Sequence, residues 1–161
     1  MRSKLCMFLL LLTGCATSNL DANFQNALKR QPVIQGSKFP SLATLKKVKA
    51  EQEHFVSKSD QETYGVLDYW ATPNEFTSLK KGDCEDFVLY AYYRLREEGF
   101  SKEDLDILIV IKNRWPQPRE QHAILMVTLD GEKYVVDDNI PVISTYRDEK
   151  RIYDIIYKMK Q

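Results

Sequence analysis

From Asp83 to Gly99 the apolar residues recur at the period of a helix: Phe87, Ala91 and Leu95 repeat every four positions, with Val88 and Tyr92 beside them. Asp83 is a good N-cap and Gly99 a good C-terminal stop, so both ends of the helix are marked. An apolar face that broad must be covered. The cover is legible downstream, where Ile107-Leu108-Ile109-Val110-Ile111 is a compact β-branched run that reads as a buried strand. His122 to Leu129 and Lys133 to Val136 then form two strands joined across Asp130-Gly131, a strong hairpin signal. Helices followed by a meander of strands predict an α+β domain in which a central helix carrying Cys84 packs against an antiparallel sheet.

Shorter signals fill in the rest. Ser41 precedes Leu42, Leu45 and Val48, which share one face of an amphipathic helix whose pattern continues toward Phe55. Thr72-Pro73-Asn74-Glu75 combines an N-cap, a proline at the first helical position and a capping-box glutamate, and predicts a short helix to about Lys80. Lys81-Gly82 breaks it, a helical turn is expected near Ser101 to Leu105, and Asn113 to Glu120, with Trp115, reads as a surface loop.

The N-terminus carries a different message. Met-Arg-Ser-Lys is followed by the apolar run Leu5-Cys6-Met7-Phe8-Leu9-Leu10-Leu11-Leu12, which is too short to span a bilayer and has the form of a secretory signal. It ends in Leu12-Thr13-Gly14-Cys15, which resembles a bacterial lipobox, in which the cysteine receives the lipid and becomes the first mature residue. The expected organisation is a signal peptide over 1–14, lipidated Cys15 and a tether over 15–24, and one domain over 25–161. Export and a lipid anchor to a bacterial membrane, facing the periplasm, follow as expectations. The chain has 23 basic and 23 acidic residues and no basic tract, which argues against nucleic acid as a partner.

Of three cysteines, Cys6 falls in the signal and Cys15 carries lipid, so Cys84 is the only thiol left to the domain and no internal disulfide is available. A lone thiol in an oxidising compartment is a liability unless it is used or buried. Cys84 lies in the first turn of the central helix, where free N–H groups and the macrodipole favour a thiolate. The candidate bases are His54, which sits amid Glu51, Glu53 and Lys58 on a polar helix and reads as a surface residue, and His122, which opens a strand at the sheet rim. An acid must then orient the imidazole. If Asp130-Gly131 is a two-residue turn, His122 falls opposite Asn139, Asp137 lies diagonally on its face and Asp138 on the other. A longer loop or a bulge reverses that choice.

With these residues in place, the sequence resembles the bacterial transglutaminase-like cysteine peptidases, a group that includes periplasmic proteases releasing biofilm adhesins. The resemblance rests on Tyr69-Trp70-Ala71-Thr72-Pro73, Gly82-Asp83-Cys84-Glu85-Asp86-Phe87, His122-Ala123-Ile124-Leu125 and Tyr134-Val135-Val136-Asp137, in that order. It implies a papain/transglutaminase-like core and a Cys-His-Asp triad of Cys84, His122 and Asp137, although Asp137-Asp138-Asn139 has one acid more than the family's usual pattern. It also implies Ca²⁺ bound by Asp83 and Glu85, two residues that equally suit a helix cap and a first turn without metal. Three carboxylates beside Cys84 would oppose thiolate formation, an effect a bound cation would offset. Trp70 reads as core.

The expected activity is that of a thiol endopeptidase cutting an envelope or surface protein. The same three side chains would serve a peptidoglycan-peptide amidase or an acyltransferase. A non-catalytic envelope lipoprotein keeping the fold is the reading from outside enzymology.

Overall fold

The computed structural model describes residues 13–113, 120–150 and 152–160. Most of the expected signal peptide, and Trp115 with its loop, lie outside the described residues. In chain order the elements are α1 (Thr13–Arg30), α2 (Leu42–Gln52), β1 (Val56–Ser57), α3 (Asp60–Thr63), α4 (Pro73–Leu79), β2 (Lys81–Gly82), α5 (Cys84–Glu97), a 3-10 turn (Lys102–Asp104), β3 (Leu105–Lys112), β4 (Glu120–Leu129), β5 (Glu132–Val136), β6 (Ser144–Thr145), α6 (Tyr146–Glu149) and β7 (Tyr153–Lys158).

The local signals act as their chemistry dictates. Ser41 Oγ accepts the Thr44 N–H at the start of α2, and Thr72 and Glu75 form the reciprocal capping box of α4. Asp130 and Gly131 both take positive φ, the geometry of the tight turn whose twist suits a hairpin, and Leu129 pairs with Glu132 as a two-residue connection requires. Five antiparallel strands order as β6-β5-β4-β3-β7, and β1 and β2 form a separate parallel pair.

Alternate residues of the two central strands face opposite sides. Ile107, Ile109, Ala123, Leu125 and Val127 join Val88, Ala91, Tyr92 and Leu95 of α5 and Leu45 and Val48 of α2 in the main core. Leu108, Val110, Ile124 and Met126 face the other way and are covered by Ile140, Tyr153, Tyr146 and Ile152. This two-sided burial explains why β3 reads as a continuous apolar run.

The expected tether is corrected by the fold. Residues 13–30 form one helix, Leu20 packs on the main core, and Phe24 is fully buried between Trp70 and Tyr92. The small, polar letters of Ala16 to Asn23 conceal these apolar contacts, which depend on residues far along the chain. Packed structure therefore begins before residue 25.

Candidate active site

The cleft lies where the N-terminus of α5 meets the start of β4. Asp83 caps the helix, its Oδ1 accepting the Glu85 N–H at 3.3 Å, and Cys84 follows as the first helical residue. A cavity of about 280 Å³ brings Cys84 together with His122 and Ala123 on the sheet side, with Asp60 at the start of α3 and with Asp68 from the loop that follows it. His54 is exposed and lies away from this site, whereas His122 is buried.

His122 pairs with Val110 across the β3–β4 ladder. Its Nε2 stands 2.8 Å from Asp137 Oδ1. Asp137 is 1% exposed, and its carboxylate also accepts the Asn139 N–H at 2.8 Å and the Tyr153 hydroxyl. Burial alone would raise the Asp137 pKa, but the His122 hydrogen bond and charge, with the Tyr153 bond, outweigh it and hold the carboxyl below its usual range. An ionised acceptor fixes the direction of the bond: Nε2–H donates, and Nδ1 is left as the basic ring nitrogen.

The expected parity of Asp137 and Asp138 needs one correction. The β4–β5 ladder ends at Leu125 and Val136, so Asp137 and Asp138 lie just past regular pairing. Asp138 consequently does not turn away from the site. Its Oδ1 is 3.4 Å from His122 Nε2, and burial, opposed by the His122 charge, leaves its pKa raised.

Around the thiol, the balance runs against the helix dipole. Burial comes first, then the Glu85 charge, with Asp83 adding to it, and together they push the Cys84 thiol well above its ordinary value; the Ala123 N–H pulls the other way. Cys84 Sγ donates to Glu85 Oε2 at 3.2 Å.

Behind Cys84 lies a cluster of three carboxylates that no sequence pattern announces. Asp60, Asp83 and Asp86 have carboxylate oxygens within 4.8 Å of one another. Burial is the leading cause in each case, and their pKa values rise to about 6, 8 and 7 respectively. Asp86 is committed, with Oδ1 accepting the Ala71 N–H and Oδ2 the Tyr64 hydroxyl, each at 2.8 Å. Asp60 Oδ2 accepts the Tyr69 N–H at 2.5 Å, while its buried Oδ1 has no partner. Nothing in Ser59-Asp60-Gln61-Glu62 announces this, since the segment reads as an ordinary capped helix start. An oxygen-only donor set with an orphaned carboxylate oxygen and crowded negative charge fits Ca²⁺. Of the two expected acids, Asp83 belongs to this cluster, whereas Glu85 groups with Asp83 and Cys84.

The sequence profile of the bacterial transglutaminase-like cysteine proteinases matches residues 15–159. The chain belongs to this family. The match spans α1 and the whole α+β core, so the cysteine peptidase has the transglutaminase-like fold expected from its motifs. LapG of Legionella pneumophila, in an EGTA-treated structure, superposes with a TM-score of 0.63 at 25% identity, covering 84% of this chain and 69% of LapG. Calcium-bound LapG superposes with a TM-score of 0.64 at 22% identity, covering 90% of this chain and 82% of LapG. No curated protein matches the chain. Trp70, 2% exposed, packs in the peptidase core as expected.

Proposed function

We propose that this cysteine peptidase is a thiol endopeptidase that hydrolyses a peptide bond in a cell-envelope or surface protein, with Cys84 as nucleophile, His122 as general base and Asp137 as the orienting acid. The observation that carries the reading is the buried His122–Asp137 pair, 2.8 Å apart, opening on the cleft of Cys84. His122 Nδ1 removes the thiol proton, the thiolate adds to the peptide carbonyl, and the imidazolium returns that proton to the departing amine. A water molecule, deprotonated by the same nitrogen, then releases the acyl group and restores the thiol. Asp137 holds the ring and stabilises its charged form throughout.

Asp83 and Glu85 would hold Ca²⁺, with Asp60 and Asp86 grouped around Asp83, in keeping with the calcium-bound LapG structure. The cation supplies positive charge that offsets the carboxylates opposing the thiolate. Lys4, the Leu9 to Leu12 run and Cys15 support export and lipidation, which would place the peptidase at a bacterial membrane facing the periplasm and its substrate close to that surface. None of the described helices is long and apolar enough to cross a membrane. Transfer of a lipid label to the full-length chain, and its loss in Cys15→Ser, checks the anchor.

The decisive experiment incubates envelope proteins with the calcium-loaded peptidase and maps new N-termini by mass spectrometry. New termini should appear with the native protein and vanish with Cys84→Ala and with His122→Ala. An identical set from Cys84→Ala would remove the endopeptidase reading.

A further inference from the structure

α2 carries two buried polar side chains three positions apart, on one helical face, and each reaches a different part of the site. Gln52, 3% exposed, donates from Nε2 to the Phe87 carbonyl of α5 at 2.7 Å, one turn beyond Cys84. Lys49, 5% exposed, donates from Nζ to the Asp137 carbonyl at 2.7 Å. That carbonyl also accepts the Ile140 N–H at 3.2 Å, closing the turn that carries both acids.

A buried lysine is costly, and an apolar side chain of the same length would serve packing as well or better. Here burial lowers the Lys49 pKa although Asp138, Asp137 and Glu53 all pull it up. The surroundings show what the amine holds. The segment from Asp137 lies beyond the last ladder pair, and a cavity of about 270 Å³ borders Asp138, Asn139 and Lys49, so the chain has room to shift. Two carboxylates stand within 3.4 Å of one imidazole nitrogen, and a small shift would exchange them.

We propose that Lys49 is a positioning residue: by pinning the Asp137 carbonyl it keeps Asp137, and not Asp138, as the acid on His122. The proposal rests on the reading of Cys84, His122 and Asp137 as the reacting groups. Without the Nζ contact, the turn relaxes toward the cavity, Asp138 competes for Nε2–H, and the ring loses its alignment toward Cys84. Removing the competitor should then restore function.

The test compares Lys49→Met, Asp138→Asn and the double variant in the purified protein. One readout is the low-field proton resonance of His122 Nε2–H, assigned by its absence in His122→Ala. The other is the rate of Cys84 alkylation by iodoacetamide. Lys49→Met should shift or broaden the resonance and slow alkylation about tenfold, as a misplaced base does, and Asp138→Asn added to it should recover most of both. An unchanged resonance and rate in folded Lys49→Met, or a loss that Asp138→Asn does not recover, overturns the proposal. If Lys49→Met does not fold, Lys49→Arg carries the same test, because its larger fork cannot donate from the same point without moving the carbonyl. A shifted resonance corrected by Asp138→Asn supports the role, and an unmoved one overturns it. Alkylation in His122→Ala as fast as in the native protein would instead overturn the underlying reading of the site.

Discussion

At the scale of single residues the site turns on two adjacent acids. Asp137 accepts from His122, Asn139 and Tyr153, whereas the side chain of Asp138 accepts the Asn139 amide at 3.0 Å and stands farther from the ring. Asp137→Asn should therefore lower turnover at least about tenfold in protein that circular dichroism shows still folded, because the imidazole loses the carboxylate that fixes its tautomer. It should also lower the melting temperature at neutral pH, because a buried carboxylate with a depressed pKa stabilises the fold there. Asp138→Asn in an otherwise native chain should be much milder, within about threefold. Initial rates on the substrate identified by new N-termini would check both, and a larger loss in Asp138→Asn would exchange their roles. Hairpin parity set by the turn at Asp130-Gly131 holds only as far as Leu125 and Val136, so it did not foresee that Asp138 also reaches His122. Asp60 and Lys49 were not legible. Their relevance comes from contacts with Asp83 and Asp137, far along the chain, and no local pattern of charge or hydrophobicity encodes such a meeting.

Among the elements, those with capping and turn chemistry were readable to within a residue or so: α4 starts at Pro73 after Thr72, and α5 starts at Cys84 after Asp83. The helical nature of 13–30 was hidden, because its core contacts come from Trp70 and Tyr92. Two substitutions probe how elements support the site. Phe24→Ala would empty a fully buried aromatic position and should cost about 3–5 kcal/mol in urea unfolding, with the wild-type value as reference. A loss under about 1 kcal/mol would return this segment to the status of a tether. Gly82 precedes α5 so closely that a Cβ there would stand 2.1 Å from Asp86 Oδ2. Gly82→Ala should displace Asp86 from Ala71 and Tyr64, lower stability by about 1–3 kcal/mol and slow Cys84 alkylation. Unaltered stability would mean that Asp86 yields without cost.

For the whole molecule, the acids behind Cys84 make stability depend on pH in a definite direction. Asp60, Asp83 and Asp86 have folded pKa values near 6, 8 and 7, all above the ordinary 3.8, with burial as the leading cause. Below about pH 4 these carboxyls are protonated folded or unfolded, and the stability they contribute is fully present. As pH rises from 4 toward 8 the unfolded chain ionises while the fold retains protons, so that stability is lost across this window and levels off above it. Asp137 has the opposite slope at more acid pH, because its folded value is depressed. In chelator the melting temperature should therefore fall steadily between pH 5 and pH 8. Calcium competes with those protons for the same oxygens, so its effect should be small at pH 5 and large at pH 8, where a concentration a hundredfold above Kd would add about 2.7 kcal/mol. Asp83→Asn should flatten the pH slope and weaken the calcium response together, since one carboxylate serves both. Calorimetry with and without Ca²⁺ across this range separates the outcomes: a pH slope without a calcium response leaves a crowded cap and no metal site, and a flat curve that calcium does not move removes the electrostatic account of the cleft.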